Sequence, residues 1–117
     1  MAIPVHKGNR GEMEARKVLE AMGLEIHRTG YEGKFQGASD LVLVEDGELK
    51  RVDFEVKRTE SFRINQYLAQ ATAAANRSGG IPRILWRRNQ ADWVSIGWLK
   101  DDQEYARAIL RGACSAS

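Results

Sequence analysis

The segment Ala38–Arg58 constrains the fold most strongly, because it contains two apolar, alternating stretches joined at Asp46-Gly47. Asp-Gly between such stretches is a strong signal for a β-hairpin, since both central residues of its turn need positive φ. Side chains along a strand alternate between the two faces of the sheet. A two-residue turn at this point therefore predicts that Asp40 lies opposite Asp53.

The two faces of the predicted hairpin differ in chemistry. One face is apolar and collects Leu41, Leu43, Val52, Phe54 and Val56. The other face is charged and carries Asp40, Asp53, Glu55 and Lys57. Several carboxylates beside one lysine repel one another unless a cation lies among them, which indicates a divalent metal site. The alternative is a solvated strand face with a cross-strand ion pair, and a slip by one residue would separate the charged group.

Composition favours an intracellular protein with one domain over residues 1–117. Apolar residues make up 43% of the chain and charged residues 29%, which is ordinary for a globular domain. No apolar run approaches the ~20 residues of a membrane span, and the N-terminus lacks the apolar core of a signal peptide. The formal net charge of +2 argues neither for nor against nucleic acid, so the distribution of charge matters more.

Periodicity and turn residues predict eight elements in the order α-β-β-β-α-β-β-α. Around the hairpin, the predicted elements are a helix over Asn9–Met22 ended by Gly23, a strand over Leu24–Thr29, a helix over Thr59–Ser78, strands over Arg83–Arg88 and Trp93–Trp98, and a helix over Asp101–Arg111 ended by Gly112. Antiparallel strands between helices predict an α/β fold with a mixed sheet flanked by helices.

Helical spacing predicts which faces of the last two helices are buried. The second helix should bury Ile64, Leu68, Ala71 and Ala75, and the last helix Tyr105, Ala106, Ile109 and Leu110. The opposite face of the second helix carries Gln66 and Gln70. These amides are either a solvated face or contacts for a phosphate or a metal-bound water.

Glu12 lies at the edge of the apolar stripe of the first helix, so it can reach into the domain. The alternative is a first-turn glutamate favoured by the helix dipole. The glycine-rich segment Gly30–Gly37, which contains Lys34, ends next to the acidic cluster. It is either a plain connector or a basic loop that can close over a polyanion.

Two sequence patterns resemble known nucleases. Ser39-Asp40 followed by Glu55-Val56-Lys57, in this element order, resembles the PD-(D/E)XK nuclease superfamily. The opening Lys7–Glu12, with the sequence KGNRGE, resembles that of archaeal-type Holliday junction resolvases, as does GGIP before the fourth strand. The resemblance covers roughly Lys7–Trp98. Ser39 stands where the superfamily name has proline, and Met13 follows Glu12 where such resolvases tend to have arginine.

The resemblance implies a restriction-endonuclease-like fold and a metal-dependent endonuclease acting on branched DNA. It implies Mg²⁺, with Mn²⁺ able to substitute, and the catalytic residues Glu12, Asp40, Glu55 and Lys57. The implied metal ligands are Asp40, Glu55, the backbone carbonyl of Val56, and Glu12. Lys57 would orient the attacking water and stabilise charge in the transition state.

DNA is the expected partner, in the form of a four-way junction or another branched molecule. Basic and amide side chains expected near the metal edge are Lys7, Arg10, Arg28, Lys34, Arg58, Arg63, Gln66 and Gln70. Cutting a junction symmetrically needs two sites, so we expect a homodimer. We expect it to act in the cytoplasm at the nucleoid, and a phage origin would fit. The alternatives are a restriction-like or repair nuclease of the same fold, and a catalytically inactive DNA-binding module.

Overall fold

The computed structural model describes residues 5–29, 39–43 and 51–115, with only the helical backbone for residues 5–9 and 114–115. Its elements are α1 (Val5–Ala21), β1 (Ile26–Arg28), β2 (Leu41–Leu43), β3 (Val52–Arg58), α2 (Ile64–Ser78), β4 (Ile81–Arg87), β5 (Val94–Ile96), a 3-10 turn (Leu99–Asp101) and α3 (Asp102–Ser115). The order of helices and strands is the one expected from the sequence.

The five strands form one mixed sheet in the order β1-β2-β3-β4-β5. Neighbouring strands are antiparallel except β3 and β4, which are parallel along their full length. Parallel neighbours need a crossover connection, and α2 supplies it. The predicted α/β fold with a mixed sheet flanked by helices is therefore confirmed.

The register between β2 and β3 differs by two residues from the prediction. Val42 pairs with Asp53, whereas the two-residue turn placed Asp40 opposite Asp53. In the observed register Asp53 faces an apolar residue, and the same register continued by one pair brings Asp40 opposite Glu55. A shift of two residues leaves every side chain on its predicted face, because the period of a strand is two. The predicted turn at Asp46-Gly47 lies outside the described residues.

Helices cover the two faces of the sheet. On one face, α1 and α3 pack against the apolar face of the hairpin, with Ala15, Leu19 and Ala108 in the core beside Phe54. On the other face, α2 packs Tyr67 and Ala71 against Ile84 of β4. None of the helices in the described part of the chain has the length and apolarity needed to span a bilayer.

The second helix begins at Ile64 rather than at Thr59, and its buried stripe is rotated from the prediction. Tyr67, Ala71, Ala74 and Ala75 are buried, whereas Ile64 is 44% exposed. The hydroxyl groups of Thr59 and Tyr67 lie 2.8 Å apart, and both contact the Ser61 carbonyl. These bonds hold residues 59–63 in a non-helical connection and draw Tyr67 inward.

The helix boundaries confirm one glycine prediction and correct another. Gly23 follows α1 with φ of +91°, as expected for a residue that ends a helix. Gly112 does not end α3, which continues to Ser115. Instead, Gly112 lets the helix approach Leu24, since a Cβ at this position would lie 2.8 Å from the Leu24 Cδ2.

Other element bounds shift by a few residues. β4 begins at Ile81, so Pro82 lies inside the strand rather than before it. Proline is tolerated because the Ile81 N–H bonds to the Arg51 carbonyl on the β3 side, and β5 pairs only with Ile84–Trp86 on the other. The core stripe of α3 contains Tyr105, Ala108 and Ile109, whereas the predicted Leu110 is 68% exposed and Ala106 is also exposed.

Candidate active site

The predicted catalytic side chains meet at one end of the sheet. Asp40 immediately precedes β2, and Glu55 and Lys57 lie on the same face of β3. Glu12 reaches this edge from α1, whose Gly11 packs against Arg58 at the end of β3. The prediction that Glu12 crosses from the first helix to join the hairpin thus agrees with the placement of the elements.

Asp40 is held against the backbone of β3. The Val56 N–H donates to Oδ2 of Asp40 at 2.7 Å, and the Asp40 N–H donates to the Phe54 carbonyl at 3.0 Å. The pKa of the Asp40 carboxyl is raised to about 6, chiefly by burial and in part by the nearby Glu12 carboxylate, against the lowering effect of the Val56 N–H. A carboxyl poised near neutral pH in a cluster is typical of functional sites.

Glu55 is the most electrostatically strained of these carboxylates. The pKa of its carboxyl is raised to about 7, chiefly by burial and next by repulsion from Asp40, against the lowering effect of Lys57. The Lys57 Nζ lies 3.7 Å from Oε2 of Glu55. The other oxygen, Oε1, is buried without a hydrogen-bond partner among the described residues. Such an atom costs free energy unless a ligand, water or ion satisfies it.

Glu12 lies beside Asp40 and is at the same time bound by an arginine. Arg28, at the end of β1, donates to Oε2 of Glu12 from Nη2 at 2.8 Å and from Nε at 3.2 Å. Both side chains are more than four-fifths buried. Within the described ranges, no three aspartate, glutamate, histidine or cysteine side chains form a preassembled metal-binding group.

The donor set nevertheless fits a hard divalent cation. Mg²⁺ prefers carboxylate and carbonyl oxygens and retains several waters, so one or two carboxylates suffice. Glu55 offers its unpartnered oxygen, and Asp40 lies beside it. The Val56 N–H faces Asp40, and the carbonyl of a strand residue faces the same side as its N–H. The Val56 carbonyl therefore points towards the same corner.

Beside Lys57 opens a cleft of about 390 Å³. It is lined by Lys57, Thr59, Glu60, Ser61, Arg63, Gln66 and Tyr67. The Lys57 ammonium lies 5.4 Å from the centre of the Tyr67 ring, and the Trp86 indole N–H bonds to Thr59. The sequence analysis missed Tyr67 here, although its spacing of four residues from Ala71 places both on one helical face.

The predicted DNA-contacting residues occupy different environments. Arg10, Arg63, Gln66 and Gln70 are exposed. Arg58 bonds to Glu14 and Asn89, and Arg28 is engaged with Glu12. Lys7 lies in α1, in the part described by its backbone alone, and Lys34 lies outside the described residues. Of this exposed group, Arg63 and Gln66 line the same cleft as Lys57.

Asp53, which alternation places on the charged face of the hairpin, is buried. It is 1% exposed and accepts hydrogen bonds from Arg51, Ser39 and Ser78 at 2.7–2.9 Å. Its face of the sheet is covered at this end by α2, which the alternation of the hairpin alone did not reveal. Asp53 is thus on the same face as Glu55 but in a closed environment.

Comparison with protein families agrees with this geometry. The model of the family described as "Phage putative PDDEXK endonuclease" matches residues 5–106, which span every site residue described above. The expected PD-(D/E)XK nuclease family is therefore confirmed.

A solved structure shares the fold. It is the 1.6 Å structure of Archaeoglobus fulgidus Hjc, a Holliday junction resolvase from an archaeal hyperthermophile. The two chains are 19% identical with a TM-score of 0.56, over 78% of this chain and 72% of the resolvase. At this identity the likeness concerns the fold. A comparison with curated proteins found no match.

Proposed function

The chain belongs to the phage putative PDDEXK endonuclease family, and from this premise we propose that it is a metal-dependent endonuclease that hydrolyses phosphodiester bonds in branched DNA. The observation that carries the proposal is the corner formed by Asp40, Glu55 and Lys57. Two buried carboxyls with raised pKa values and one unpartnered oxygen stand beside an ammonium group. Attack of water on a phosphodiester needs this combination of charges.

We propose Mg²⁺ as the cofactor, with Mn²⁺ able to replace it. A bound divalent cation lowers the pKa of its water and neutralises the phosphate. Asp40, Glu55 and the Val56 carbonyl would hold it, and Glu12 would complete the site directly or through water. Because Arg28 binds Oε2 of Glu12, an interaction through water requires the smaller rearrangement.

Lys57 has the role of orienting the attacking water and stabilising developing negative charge. Its ammonium lies beside Glu55 and above the Tyr67 ring, so it faces the cation site on one side and the cleft on the other. Preorganised positive charge in a partly buried site stabilises a transition state more than it does in water.

The DNA backbone would lie along the cleft and the exposed basic residues around it. Arg63 makes no ion pair within the described ranges and lines the cleft with Gln66, so both can contact phosphate oxygens. Arg10 and Gln70 lie further out, and we assign Lys7, Lys34, Arg28 and Arg58 to the same basic rim. Phosphate contacts position a duplex without identifying its sequence, which favours recognition of DNA shape.

The preference for junctions and the homodimer are supported by a likeness of fold, by the opening sequence and by an exposed apolar surface. The solved relative in fold is described as a Holliday junction resolvase, and the opening Lys7–Glu12 resembles that class. A symmetric cut of two strands requires two sites. Trp98 and Leu99 are exposed, and the Trp98 indole N–H bonds to Thr72 of α2, so this side of the alanine-rich helix is our candidate dimer surface. We place the protein in the cytoplasm, acting on intracellular DNA.

The test compares a synthetic four-way junction with a linear duplex of matched sequence, in Mg²⁺ and in EDTA. We expect Mg²⁺-dependent cutting of the junction only, with Lys57→Ala binding the junction without cutting it. Lys100→Ala, an exposed lysine in the 3-10 turn, is the control. Equal cutting of both substrates would remove the junction preference and favour a restriction-like or repair nuclease.

A DNA-binding module without catalysis remains the second candidate, because the described residues contain no preassembled group of three metal-binding side chains. Cutting of neither substrate, with wild type and Lys57→Ala behaving alike, would favour it. Calorimetry gives an independent check, since such a module would bind DNA without binding Mg²⁺ or Mn²⁺.

A further inference from the structure

The Asp53 carboxylate is enclosed although it carries a charge. Its side chain is 0% exposed, and aspartate is almost never so deeply buried unless it is paired. Arg51 donates to Oδ1 at 2.7 Å, and two serines donate to the two oxygens: Ser39 to Oδ1 at 2.8 Å and Ser78 to Oδ2 at 2.9 Å. These partners come from the segment before β2, the start of β3 and the end of α2.

Asp53 cannot take part directly in the chemistry at Glu55. Both of its oxygens accept hydrogen bonds, and the backbone closes over it at Gly80, where a Cβ would lie 1.8 Å from Oδ2. No space is left for a cation or a phosphate at this carboxylate. Its contribution therefore passes through the groups that it binds.

One of those groups is the immediate neighbour of Asp40. Ser39 is buried and lies outside the ladder of β2, which begins at Leu41. Thr29 binds the backbone of both Ser39 and Asp40. Its hydroxyl donates to the Ser39 carbonyl, and its N–H donates to the Asp40 carbonyl at 3.4 Å. The Ser39 hydroxyl adds a hydrogen bond to Asp53 on β3.

The superfamily pattern has proline at the position of Ser39. The hydrogen bond from Ser39 to Asp53 restrains the backbone at a position where proline would restrain it by its ring. Proline fixes its own φ, whereas serine does not. Ser39 instead donates a hydrogen bond to the buried Asp53 carboxylate, and this bond limits the movement of the backbone at Ser39. The main chain before Asp40 is then held although the ring is absent.

We infer that Asp53 is a positioning residue, which holds the Asp40 carboxylate in the active site through its hydrogen bond with Ser39. The inference rests on the proposed function, because Asp40 is taken there as a metal ligand. Groups that orient a ligand in this way commonly change metal affinity by about 10–100-fold when removed.

Two serine variants separate positioning from general stabilisation. Ser39→Ala and Ser78→Ala each remove one hydroxyl bond to Asp53, at nearly equal length. Only Ser39 adjoins Asp40, since Ser78 is the last residue of α2. A purely structural role predicts the same behaviour for both variants. A positioning role predicts that only Ser39→Ala disturbs Asp40.

The first measurement is hydrogen exchange of the Asp40 amide in metal-free protein, by nuclear magnetic resonance. We expect about tenfold faster exchange in Ser39→Ala than in Ser78→Ala, because the bond from the Asp40 N–H to the Phe54 carbonyl opens more often. Similar falls in melting temperature are expected for both variants. Equal exchange in the two would overturn the inference.

The second measurement is the Mg²⁺ concentration that gives half-maximal cleavage. We expect it to rise about tenfold in Ser39→Ala, with KM for DNA unchanged and Ser78→Ala close to wild type. An unchanged Mg²⁺ requirement in Ser39→Ala would overturn the inference. If wild-type protein cuts no DNA, the proposed function fails, and amide exchange still decides whether Asp53 positions Asp40. Asp53→Asn is a stronger variant for the same measurements, but the serine pair suffices if it does not fold.

Discussion

The backbone N–H of Val56 donates to Oδ2 of Asp40 at 2.7 Å, which ties the carboxylate that enters β2 to the middle of the neighbouring strand. This contact places Asp40 between Glu55 and Lys57, the residues on either side of Val56. A charge-assisted bond from a backbone amide is among the stronger hydrogen bonds in proteins. The bond therefore fixes Asp40 against the segment Glu55-Val56-Lys57 of the neighbouring strand.

Metal affinity should depend steeply on pH. The pKa values of Asp40 and Glu55 are raised to about 6 and about 7, so a cation must displace protons from them below neutral pH. We expect the affinity for Mn²⁺, measured by calorimetry, to rise between pH 5.5 and pH 8. Proton release should be visible as a dependence of the binding enthalpy on the buffer.

The control for this experiment is Glu55→Gln, which cannot release a proton at this position. Its affinity for Mn²⁺ should be lower and should vary less with pH. A wild-type affinity that is constant over the same range would contradict the assignment of these two carboxyls as ligands.

The carboxyl pair should destabilise the metal-free protein at high pH. Both folded-state pKa values lie above the unfolded values, so the native state holds more protons between about pH 4 and pH 7. The free energy of unfolding then falls as pH rises through that window. Glu55→Gln removes one of the charges and should raise the stability at pH 8 by on the order of 1–2 kcal/mol, after allowing for solvent screening.

Urea unfolding at two pH values measures this effect. The stability gained by Glu55→Gln should disappear at pH 4, where wild-type Glu55 is protonated. In a separate cleavage assay, the same variant should cut DNA roughly 10²–10³-fold more slowly than wild type, or slower still. Glu104→Gln in the first turn of α3 is a control of the same chemistry, since Glu104 is not among the groups that shift the pKa of Asp40 or Glu55. A stability gain that is equal at both pH values would contradict the electrostatic explanation.

Arg28 should stabilise the cluster mainly in the absence of metal. Replacing it by methionine leaves the largely buried Glu12 carboxylate facing Asp40 without its bidentate partner. Loss of one partner of such a pair costs about 1–3 kcal/mol or more, less than for a fully buried pair because some solvent remains. Chemical denaturation in EDTA measures the loss.

Divalent cation should recover part of that loss, because it neutralises the same carboxylates. The double variant Glu12→Gln, Arg28→Met removes both charges of the ion pair, so it leaves no unpaired carboxylate at Glu12. It should be more stable than Arg28→Met alone. If Arg28→Met is as stable as wild type in EDTA, the pair does not contribute to the site as described.

Gly80 should tolerate no side chain. A Cβ there would lie 1.8 Å from Oδ2 of Asp53 and 3.0 Å from the Arg51 carbonyl oxygen, both in well-packed surroundings. Gly80→Ala must displace a buried charged network, and we expect a loss of about 2–4 kcal/mol. Thermal denaturation measures it.

Gly79→Ala is a matched comparison one residue earlier. Gly79 has φ of +75° and open space around it, so alanine there carries only the backbone penalty, about 1 kcal/mol. Equal losses at the two positions would show that contact with Asp53 is not what excludes a side chain from Gly80.

Features with a regular period could be predicted from the sequence, whereas those that depend on tertiary contacts could not. Alternation along β2 and β3 placed Leu41, Phe54 and Glu55 on their observed faces even though the register was two residues off. The buried face of the second helix was not predictable in this way, because alanines lie on several of its sides and either Ile64 or Tyr67 could be buried with them. Tyr67 is the buried one, and its hydroxyl contacts with Thr59 and Ser61 hold it there.

The same limit applies to the site. Alternation along the hairpin placed Asp40, Glu55 and Lys57 on one face, and helical spacing placed Glu12 where it could reach into the domain. The bond between Arg28 and Glu12 joins β1 to α1, and no periodicity encodes such a pair. Burial of Asp53 depends on how α2 ends over the sheet, so it required the three-dimensional arrangement.

The pairing of β2 with β3 has a consequence for recognising related chains. The site needs Asp40 next to Glu55 across two strands, and the pairing of Leu41–Leu43 with Val52–Phe54 brings the two together. Insertions or deletions between the two strands can change the spacing between the two acidic positions without moving either carboxylate. Genome searches for relatives should therefore anchor on the strand pair and allow a gap of variable length, rather than require a constant distance between the two motifs.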